Sequence, residues 1–300
     1  MPLNEFFTQC ITLRYGENIA AKILEGMGQK RCATLRINTL KAEQKEVCQA
    51  LEEAGISYRP APFWENALIL PPGSENALQR LAIYEEGKIY LQSLSSMLPP
   101  LILSPKAGQD ILDMAAAPGG KTTELCALCA NKASVTACEV NKVRAERLKF
   151  NLSRQGANRV NVMVCDARKL EDFFKFDKIL LDAPCSGSGT MLLNDEASLR
   201  AFSPALVKNS AVLQLALLKK ALKMLKKGGE MVYSTCSILE AENEDVLRGA
   251  LKGSGCEICP VELPFMDLLP LLPSSLPGVI TVCPTPEYEG FFAAKIRKIH

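Results

Sequence analysis

Two cysteines stand in turn-forming segments where a thiol could act as a nucleophile or as a base. Cys185 lies in the segment Asp182-Ala-Pro-Cys-Ser-Gly-Ser-Gly-Thr190, and Cys236 lies in Tyr233-Ser-Thr-Cys-Ser237. A lone cysteine is more often a small buried apolar side chain. The glycine, serine and proline residues around both thiols instead favour turns at the ends of strands. We therefore predict that the two cysteines are site residues.

The composition limits which other side chains can take part in chemistry. The only histidine of the 300 residues is His300, the last residue, where chains are usually frayed. Acid–base or nucleophilic chemistry must therefore rest on Cys, Asp, Glu, Lys or Tyr side chains. The 12 cysteines lack the spacing of a small disulfide-bonded domain and are more typical of intracellular thiols, so we expect a cytoplasmic protein.

Membrane insertion and simple electrostatic attraction to nucleic acid both lack support in the sequence. No apolar run reaches the roughly 18–20 residues of a bilayer span, and the first residues lack the basic-then-apolar pattern of a signal peptide. We therefore expect no membrane contact. The net charge is only +2. Two clusters of Lys and Arg, within 142–159 and 219–227, are more often solvated helix faces than binding surfaces.

The pattern of apolar residues changes near residue 92 and predicts two domains. Residues 1–91 mix short elements and predict a small α+β domain, with helices near 4–14, 16–28 and 41–54 and strands at 33–38, near 56–59 and near 67–70.

Residues 92–300 alternate apolar strands with helices, which predicts a doubly wound, mostly parallel α/β sheet. The first helix, 93–103, is expected to be interrupted or to end around Pro99 and Pro100. The predicted strands span 110–114, 134–138, 160–164, 178–182 and 230–234, further helices span 120–130, 141–155 and 205–226, and a last antiparallel edge strand spans 290–295.

A loop of small residues, Ala115-Ala-Ala-Pro-Gly-Gly-Lys-Thr122, follows the first of these strands. In open α/β sheets ligands bind beyond the carboxyl ends of the strands, and small residues let the backbone approach a ligand closely. The loop is not a P-loop, because Ala115 stands where that motif requires glycine, and the G-x-G-x-x-G fingerprint is absent as well. Glu139, Asp166 and Asp182 end or follow the next three strands. This layout fits a nucleoside-like cofactor such as S-adenosylmethionine.

Two Cys-x-x-Cys pairs, Cys126/Cys129 and Cys256/Cys259, raise the alternative of a zinc site. The pairs are far apart in the chain, and no histidine is available to complete a mixed site. Cys126 and Cys129 also stand at i and i+3 of a predicted helix beside leucines, as core residues do. We expect no bound metal.

The segments 113–122, 181–190 and 233–237, the last with Glu242-Asn-Glu244, resemble the motifs of the RsmB/Sun-type (NOL/NOP/Sun) RNA 5-methylcytosine methyltransferases. Leu35-Arg-Ile-Asn-Thr-Leu-Lys41 and Glu289-Gly-Phe-Phe292 are similar to the N-terminal and C-terminal motifs of that family. The resemblance thus extends over almost the whole chain. DNA cytosine methyltransferases share only the Pro-Cys motif, so Cys236 argues against them.

The resemblance implies a class I methyltransferase (Rossmann-like) fold, S-adenosylmethionine as the methyl donor, and rRNA or tRNA as the partner of a monomeric enzyme. It implies that Cys236 is the nucleophile and that Cys185 assists product release. The cofactor contacts that it implies are Ala115, Ala116, Ala117, Pro118, Gly119, Gly120, Lys121, Glu139, Asp166 and Asp182.

The implied reaction explains why two thiols are needed. Carbon 5 of cytosine is a poor nucleophile, and addition of a thiolate to carbon 6 makes it enamine-like and able to take a methyl group. Asp182 suits a hydrogen bond or a proton at ring nitrogen 3, and Lys121 is the candidate cation that activates Cys236. In the absence of a usable histidine, Cys185 is the natural base for the proton on carbon 5. The target base must leave its stack, and the small N-terminal domain is expected to help position the RNA.

One segment departs from the family pattern. Where relatives commonly carry basic residues and a proline, the chain has Met191-Leu-Leu-Asn-Asp-Glu-Ala197. This leaves open a second function, a non-catalytic RNA-binding or ribosome assembly factor that retains the fold. A third alternative is methylation of a protein or a small molecule, against which stand both thiols and the absence of an Asn-Pro-Pro-Tyr motif.

Overall fold

The computed structural model describes residues 5–300. Three short 3₁₀ turns within this range cover Ala167–Lys169, Glu240–Glu242 and Met266–Leu268. The helices are α1 (Glu5–Tyr15), α2 (Glu17–Gly28), α3 (Gln44–Glu53), α4 (Glu75–Leu78), α5 (Ala82–Glu85), α6 (Leu94–Leu103), α7 (Gly120–Leu128), α8 (Lys142–Gln155), α9 (Glu196–Ala201), α10 (Pro204–Met224) and α11 (Glu244–Leu251). The strands are β1 (Ala33–Ile37), β2 (Arg59–Ala61), β3 (Trp64–Leu70), β4 (Ile89–Leu91), β5 (Asp110–Asp113), β6 (Ser134–Cys138), β7 (Val160–Met163), β8 (Phe176–Asp182), β9 (Leu225–Thr235), β10 (Cys256–Cys259), β11 (Leu271–Leu272), β12 (Val279–Val282) and β13 (Phe291–Lys298).

The larger sheet has the strand order β11-β12-β13-β9-β8-β5-β6-β7, and β10 also pairs with β13. The strands β5 to β9 are mutually parallel, so their carboxyl ends open on one edge of the sheet. The predicted doubly wound, mostly parallel fold is confirmed. No helix among residues 5–300 has both the length and the apolar character that crossing a bilayer requires.

The last long strand was predicted as an edge strand, and this prediction is wrong. β13 is antiparallel, as predicted, but it lies inside the sheet between β9 and β12. Its residues 291–294, Phe-Phe-Ala-Ala, are all buried. A continuous apolar run is typical of a strand that is covered on both faces, whereas an edge strand usually carries charged residues.

The smaller sheet is antiparallel, with the order β2-β3-β1-β4. One of its faces packs on α3, and the other, with Ala67 and Ile69, joins the apolar core beneath the large sheet. Helices α1 and α2 instead pack against Ile238 and Leu239 from the second half of the chain. The division into domains 1–91 and 92–300 stays a prediction, and residue 4 of the first predicted helix lies outside the described residues.

Helix α6 continues through Pro99 and Pro100, so the predicted interruption is wrong. Proline at position 100 cannot donate to the carbonyl of Ser96. That carbonyl accepts a hydrogen bond from Gln92 Nε2 instead, at 3.2 Å. The helix is buried almost throughout, and Ser93 caps its start. A replacement donor and apolar packing therefore preserve the helix where the sequence suggested a break.

A buried polar network joins the small sheet to α7. Arg36 of β1 donates from Nε to Gln92 Oε1 at 3.1 Å and from Nη2 to Thr123 Oγ1 at 2.9 Å. Gln92 Nε2 in turn donates to Glu124 Oε2 at 2.8 Å. Burial raises the pKa of Glu124 to about 8, although Arg36, Gln92 and Lys121 act to lower it. The raised pKa favours the protonated form of Glu124 within the network that joins the small sheet to α7.

Replacement of Glu124 by Gln should flatten the pH dependence of stability. The folded-state pKa of about 8 lies above the ordinary 4.5, so the folded protein keeps a proton that the unfolded chain releases. The associated stability is complete below the ordinary pKa and is lost as the pH rises through the folded-state value. The loss between about pH 6 and about pH 8 is on the order of 2 kcal/mol.

Urea unfolding of the native chain and of Glu124→Gln at these two pH values measures the difference. The exposed change Glu75→Gln is the control and should retain the native pH dependence. Equal pH slopes for the native chain and Glu124→Gln would contradict the prediction.

Candidate active site

A cavity of about 370 Å³ opens at the carboxyl edge of the large sheet. Its floor is the loop after β5 and the start of α7, and one wall comes from the small sheet and the residues that follow it. Gly119 faces α8 instead: its φ is +110°, which favours glycine, and a Cβ there would lie 3.0 Å from Leu148 Cδ1. The residues that line the cavity include Tyr90, Gln92, Ser96, Asp113, Ala115, Ala116, Ala117, Pro118, Gly120, Lys121, Asp182, Thr190, Cys236, Glu289 and Phe291.

The loop is held in place from three elements. Asp113, at the end of β5, accepts from Thr122 Oγ1 at 2.7 Å. The Ala116 N–H donates to the last carbonyl of β6 at 2.9 Å, and Arg144 of α8 donates to the Ala117 carbonyl at 2.8 Å. Burial raises the pKa of Asp113 to about 6, against the hydrogen bond from Thr122. The backbone of the loop is therefore fixed before any ligand arrives.

Lys121 brings an ammonium group into the cavity. Its Nζ donates to Ser96 Oγ at 2.6 Å and lies 2.7 Å from Asp182 Oδ2. Ser234 donates to the other oxygen of Asp182 at 2.8 Å. Burial acts to lower the pKa of Lys121, but Asp182, with help from Cys236, outweighs it and the pKa is raised. Lys121 therefore remains charged beside Asp182 and Cys236.

The two predicted thiols lie together, with 3.0 Å between Cys185 Sγ and Cys236 Sγ. The cause is topological: β8 and β9 are adjacent and parallel, Asp182 pairs with Ser234, and each cysteine follows shortly after. The hydrogen bond with Cys236 and burial raise the pKa of Cys185 well above its ordinary value. At this separation one sulfur donates a hydrogen bond to the other.

Glu242 belongs to the motif Glu242-Asn-Glu244, and no role for it was predicted from the sequence. Its carboxylate is fully buried beneath the loops that carry the thiols. Oε1 accepts from the Ser186 N–H at 2.8 Å and from Gln214 Nε2 at 3.2 Å. Oε2 accepts from Ser186 Oγ at 2.5 Å and from Ser237 Oγ at 2.7 Å. The one signal in the sequence was a carboxylate a short distance after Cys236.

Besides Gly119, two predicted cofactor contacts, both carboxylates, do not line the cavity. Glu139, at the end of β6, is buried, and its Oε2 lies 3.6 Å from Arg144 Nη1. Asp166, after β7, pairs with Arg168 at 2.6 Å. The hydrogen bond from Arg168 is the main cause that holds the pKa of Asp166 below its ordinary value. Both carboxylates lie at the predicted edge of the sheet, but each is joined to an arginine.

The segment 191–197, which departs from the family pattern, packs on the end of α2. The Leu193 N–H donates to the Met27 carbonyl at 3.0 Å, and Asn194 Nδ2 donates to the Gly28 carbonyl at 2.9 Å. Met191 belongs to the same apolar cluster as α1 and α2. The unusual residues thus serve contacts within the chain.

The cysteine pairs considered for zinc form no cluster in the described part of the chain. Cys126 and Cys129 are buried in the core, and Cys256 and Cys259 lie on β10. Among residues 5–300 no group of three or more His, Cys, Asp or Glu side chains could hold a metal ion. The cysteines of this range are free thiols.

This strand order, with a glycine-containing loop after β5 and acidic residues at the strand ends, defines a Rossmann-like methyltransferase fold. The family model described as 16S rRNA methyltransferase RsmB/F matches residues 100–297. A second model, described as the RsmF/B-like ferredoxin-like domain, matches residues 4–74. The chain belongs to the RsmB/F methyltransferase family. The family assignment confirms the predicted family and, with it, the predicted cofactor, S-adenosylmethionine.

Individual relatives agree with this assignment. The chain is 36% identical to ribosomal RNA small subunit methyltransferase F of Shewanella piezotolerans, over 89% of this chain and 57% of that protein. It is 35% identical to the tRNA (cytosine(49)-C(5))-methyltransferase of Pyrococcus abyssi, over 88% of each. A crystal structure of a methyltransferase homolog protein from Pyrococcus horikoshii has a TM-score of 0.85 at 33% identity, over 99% of this chain and 96% of that one. The chain thus spans little more than half the length of the Shewanella protein.

Replacement of Gly189 by Ala should disturb the loops that carry the two thiols. The Gly189 N–H donates to the Cys236 carbonyl at 2.9 Å, and the Gly290 N–H donates to the Gly189 carbonyl at 2.8 Å. A Cβ on Gly189 would overlap with the backbone carbonyl of Gly290. Because the overlap is with backbone, we expect a loss of about 1–3 kcal/mol in unfolding free energy and slower alkylation of Cys236.

Gly28→Ala is the matched control, because a Cβ there meets only Leu193 Cδ1 at 3.9 Å. Denaturant unfolding and peptide mapping after iodoacetamide treatment measure both properties. The prediction fails if the two alanine variants behave alike.

Proposed function

We propose that this chain transfers a methyl group from S-adenosylmethionine to carbon 5 of cytosine in RNA, through a covalent bond between Cys236 and the base. The observation that carries the proposal is the 3.0 Å contact between the sulfurs of Cys185 and Cys236, of which Cys236 lines the same cavity as the cofactor loop. One thiol suffices to add to a ring, whereas methylation at carbon 5 also needs a base to remove a proton. The tRNA methyltransferase of Pyrococcus abyssi acts, by its name, on carbon 5 of a cytosine.

The residues around the cavity suit the proposed cofactor. The cavity volume of about 370 Å³ lies within the range typical of small-molecule sites, roughly 300–1,000 Å³. Outside the cavity, at the ends of β6 and β7, Val140 and Val164 expose 67% and 42% of their surface near Glu139 and Asp166 in the chain. Apolar surface of this kind suits a purine ring, and the two carboxylates suit ribose hydroxyls and an adenine amino group. S-adenosylmethionine supplies, when bound, a methyl group on a positively charged sulfur.

Cys236 begins the proposed reaction as a thiolate. Its sulfur adds to carbon 6 of cytosine, and the electron pair of the 5,6 double bond moves into the ring toward nitrogen 3. Lys121 favours the thiolate because its ammonium faces the same cavity. The carboxylate of Asp182 is held by Lys121 and Ser234. We assign to Asp182 the hydrogen bond or proton at ring nitrogen 3. Carbon 5 becomes enamine-like and takes the methyl group, as the bond between that methyl group and the sulfonium sulfur breaks and S-adenosylhomocysteine is left.

Cys185 completes the proposed reaction as the base. After methyl transfer, carbon 5 carries both the methyl group and its original hydrogen. Cys185 removes that proton, and the electron pair left behind restores the double bond and expels Cys236 as a thiolate. While Cys236 is free, the hydrogen bond between the sulfurs raises the pKa of Cys185. Once Cys236 is bonded to carbon 6, this cause is removed, so the Cys185 thiol can release its proton to water and then act as the base for the proton on carbon 5.

The macromolecular partner in this proposal is rRNA or tRNA, the two classes that the names of the relatives contain. The target base must leave its stack to reach the cavity. Tyr90 and Gln92, at the junction with the small sheet, contribute to the cavity wall, which supports a role of the N-terminal region in positioning RNA. The free cysteines support a cytoplasmic location, and we expect the chain to act as a monomer.

Replacement of either thiol should produce a different and characteristic failure. Cys236→Ala should abolish methyl transfer and form no covalent complex with RNA, because no thiolate adds to carbon 6. Cys185→Ala should accumulate a covalent protein–RNA complex, because the proton on carbon 5 stays in place. Denaturing gels of radiolabelled RNA with S-adenosylmethionine measure the complex.

Cys48→Ala, a change on α3 away from the cavity, is the control and should methylate normally. Bisulfite sequencing of RNA from cells with and without the gene identifies the methylated cytosine. Methylation by Cys236→Ala would refute the assignment of the nucleophile, and unchanged cytosines throughout would refute the proposed function.

Replacement of Glu139 by Gln should weaken cofactor binding. A carboxylate that accepts from hydroxyl groups contributes about 1.5–3 kcal/mol, so we expect roughly a tenfold or greater loss of affinity for S-adenosylhomocysteine. Titration calorimetry measures the affinity, and Glu146→Gln, an exposed change on α8, is the control. Equal affinities of the native chain and Glu139→Gln would remove Glu139 from the cofactor site.

A further inference from the structure

The two thiols of the site have electrically different neighbours. Cys236 lines the cavity with Lys121, and the charges of these two groups interact. Cys185 precedes Ser186, whose N–H and hydroxyl both donate to Glu242, at 2.8 Å and 2.5 Å. A cation therefore faces one sulfur, and a carboxylate is anchored beside the other.

Glu242 is built to hold a negative charge. It is fully buried, and no lysine or arginine among residues 5–300 forms an ion pair with it. Its hydrogen-bond partners are the Ser186 N–H, two serine hydroxyls and the amide group of Gln214. All of these groups can donate, and an ionised carboxylate only accepts, whereas a protonated one would have to donate as well. The hydrogen bonds thus take the place of a counter-ion.

Resting on the proposed function, we propose that Glu242 is a positioning residue that directs the proton shared by the two thiols onto Cys185 and leaves the negative charge on Cys236. It does so first by geometry, because Ser186 and Ser237, which follow the two cysteines, both donate to its Oε2. It does so second by charge, because Glu242 accepts two hydrogen bonds from Ser186, next to Cys185, and one from Ser237, next to Cys236, and its charge acts to disfavour a thiolate at Cys185.

The nearby cation acts in the same direction as Glu242. Lys121, paired with Asp182 at 2.7 Å, interacts with the charge of Cys236, so it favours the thiolate there while Glu242 disfavours one at Cys185. Glu242 also contributes to the raised pKa of Cys185, after the hydrogen bond with Cys236, burial and the charge of Cys236. The titratable groups that surround the pair are Lys121, Asp182, Asp113, Tyr233, Glu289 and Glu242.

The position of the shared proton matters because a thiolate at either cysteine could add to a pyrimidine. A thiolate at Cys185 would be a misplaced nucleophile and would leave no base for the release step. With the proton on Cys185, only Cys236 is reactive at the start. Glu242 thereby assigns different roles to two chemically identical side chains.

Site-resolved alkylation tests this assignment without RNA or cofactor. The rates at which iodoacetamide modifies Cys185 and Cys236 are measured by peptide mass spectrometry across a pH series, for the native chain, Glu242→Gln and Glu242→Asp. In Glu242→Gln we expect the ratio of the Cys236 rate to the Cys185 rate to fall about tenfold, the equivalent of one pKa unit. In Glu242→Asp, which keeps the charge, the ratio should stay within about threefold of native.

Control variants distinguish the loss of the negative charge of Glu242 from general damage to the fold. Glu240→Gln, on the same 3₁₀ turn but partly exposed, should leave the ratio unchanged, and buried Cys126 should stay unreactive in every folded variant. If Glu242→Gln does not fold, Ser186→Ala replaces it, with an expected fall of about two- to threefold. An unchanged ratio in the folded variant, or an equal fall in the Asp and Gln variants, overturns the proposal. If the ratios are as expected but the protein leaves cytosine unmethylated, the proposed function is refuted and the role of Glu242 in placing the proton is not.

Discussion

The contact between the sulfur atoms of Cys185 and Cys236, at 3.0 Å, is the constraint on which the site depends. Two thiolates at this distance would repel each other, so the pair holds at least one proton over the range in which either can react. The contact exists because β8 and β9 are neighbouring parallel strands whose loops leave the sheet at the same edge. Parallel topology thus brings together two residues that are far apart in the chain.

The surrounding structure maintains this contact and supplies each sulfur with a different environment. The backbone of Gly189 connects the Cys185 loop to Cys236 and to the start of β13, and Glu242 holds the serines that follow both cysteines. Lys121 faces Cys236 from the cofactor loop. Further out, Arg36 and Gln92 connect the small sheet to α7, so the region proposed to position RNA is joined to the helix that carries Lys121.

Much of this could be predicted from local patterns. Short apolar runs between helices predicted the parallel strands, and turn residues after two of them predicted that Cys185 and Cys236 are site residues at the ends of strands. The family, the fold and S-adenosylmethionine followed from a resemblance that the family match confirms, whereas the roles of individual residues and the domain boundary remain predictions. The errors concern contacts that a local pattern does not show: the interior place of β13 depends on its pairing with β12, and the continuity of α6 depends on the Gln92 side chain. The site of Glu242 was missed because three of its four bonds come from Ser186 and Gln214, which are far away in the sequence.

The most direct test of the account uses RNA in which fluorine replaces the hydrogen on carbon 5 of the target cytosine. Fluorine cannot leave as a cation, so the step assigned to Cys185 is blocked while the steps assigned to Cys236 proceed. With S-adenosylmethionine present, the native chain should form a covalent complex that survives denaturation, and peptide mass spectrometry should locate the methylated base on Cys236. A base attached to Cys185, or the absence of any covalent complex, would contradict the account.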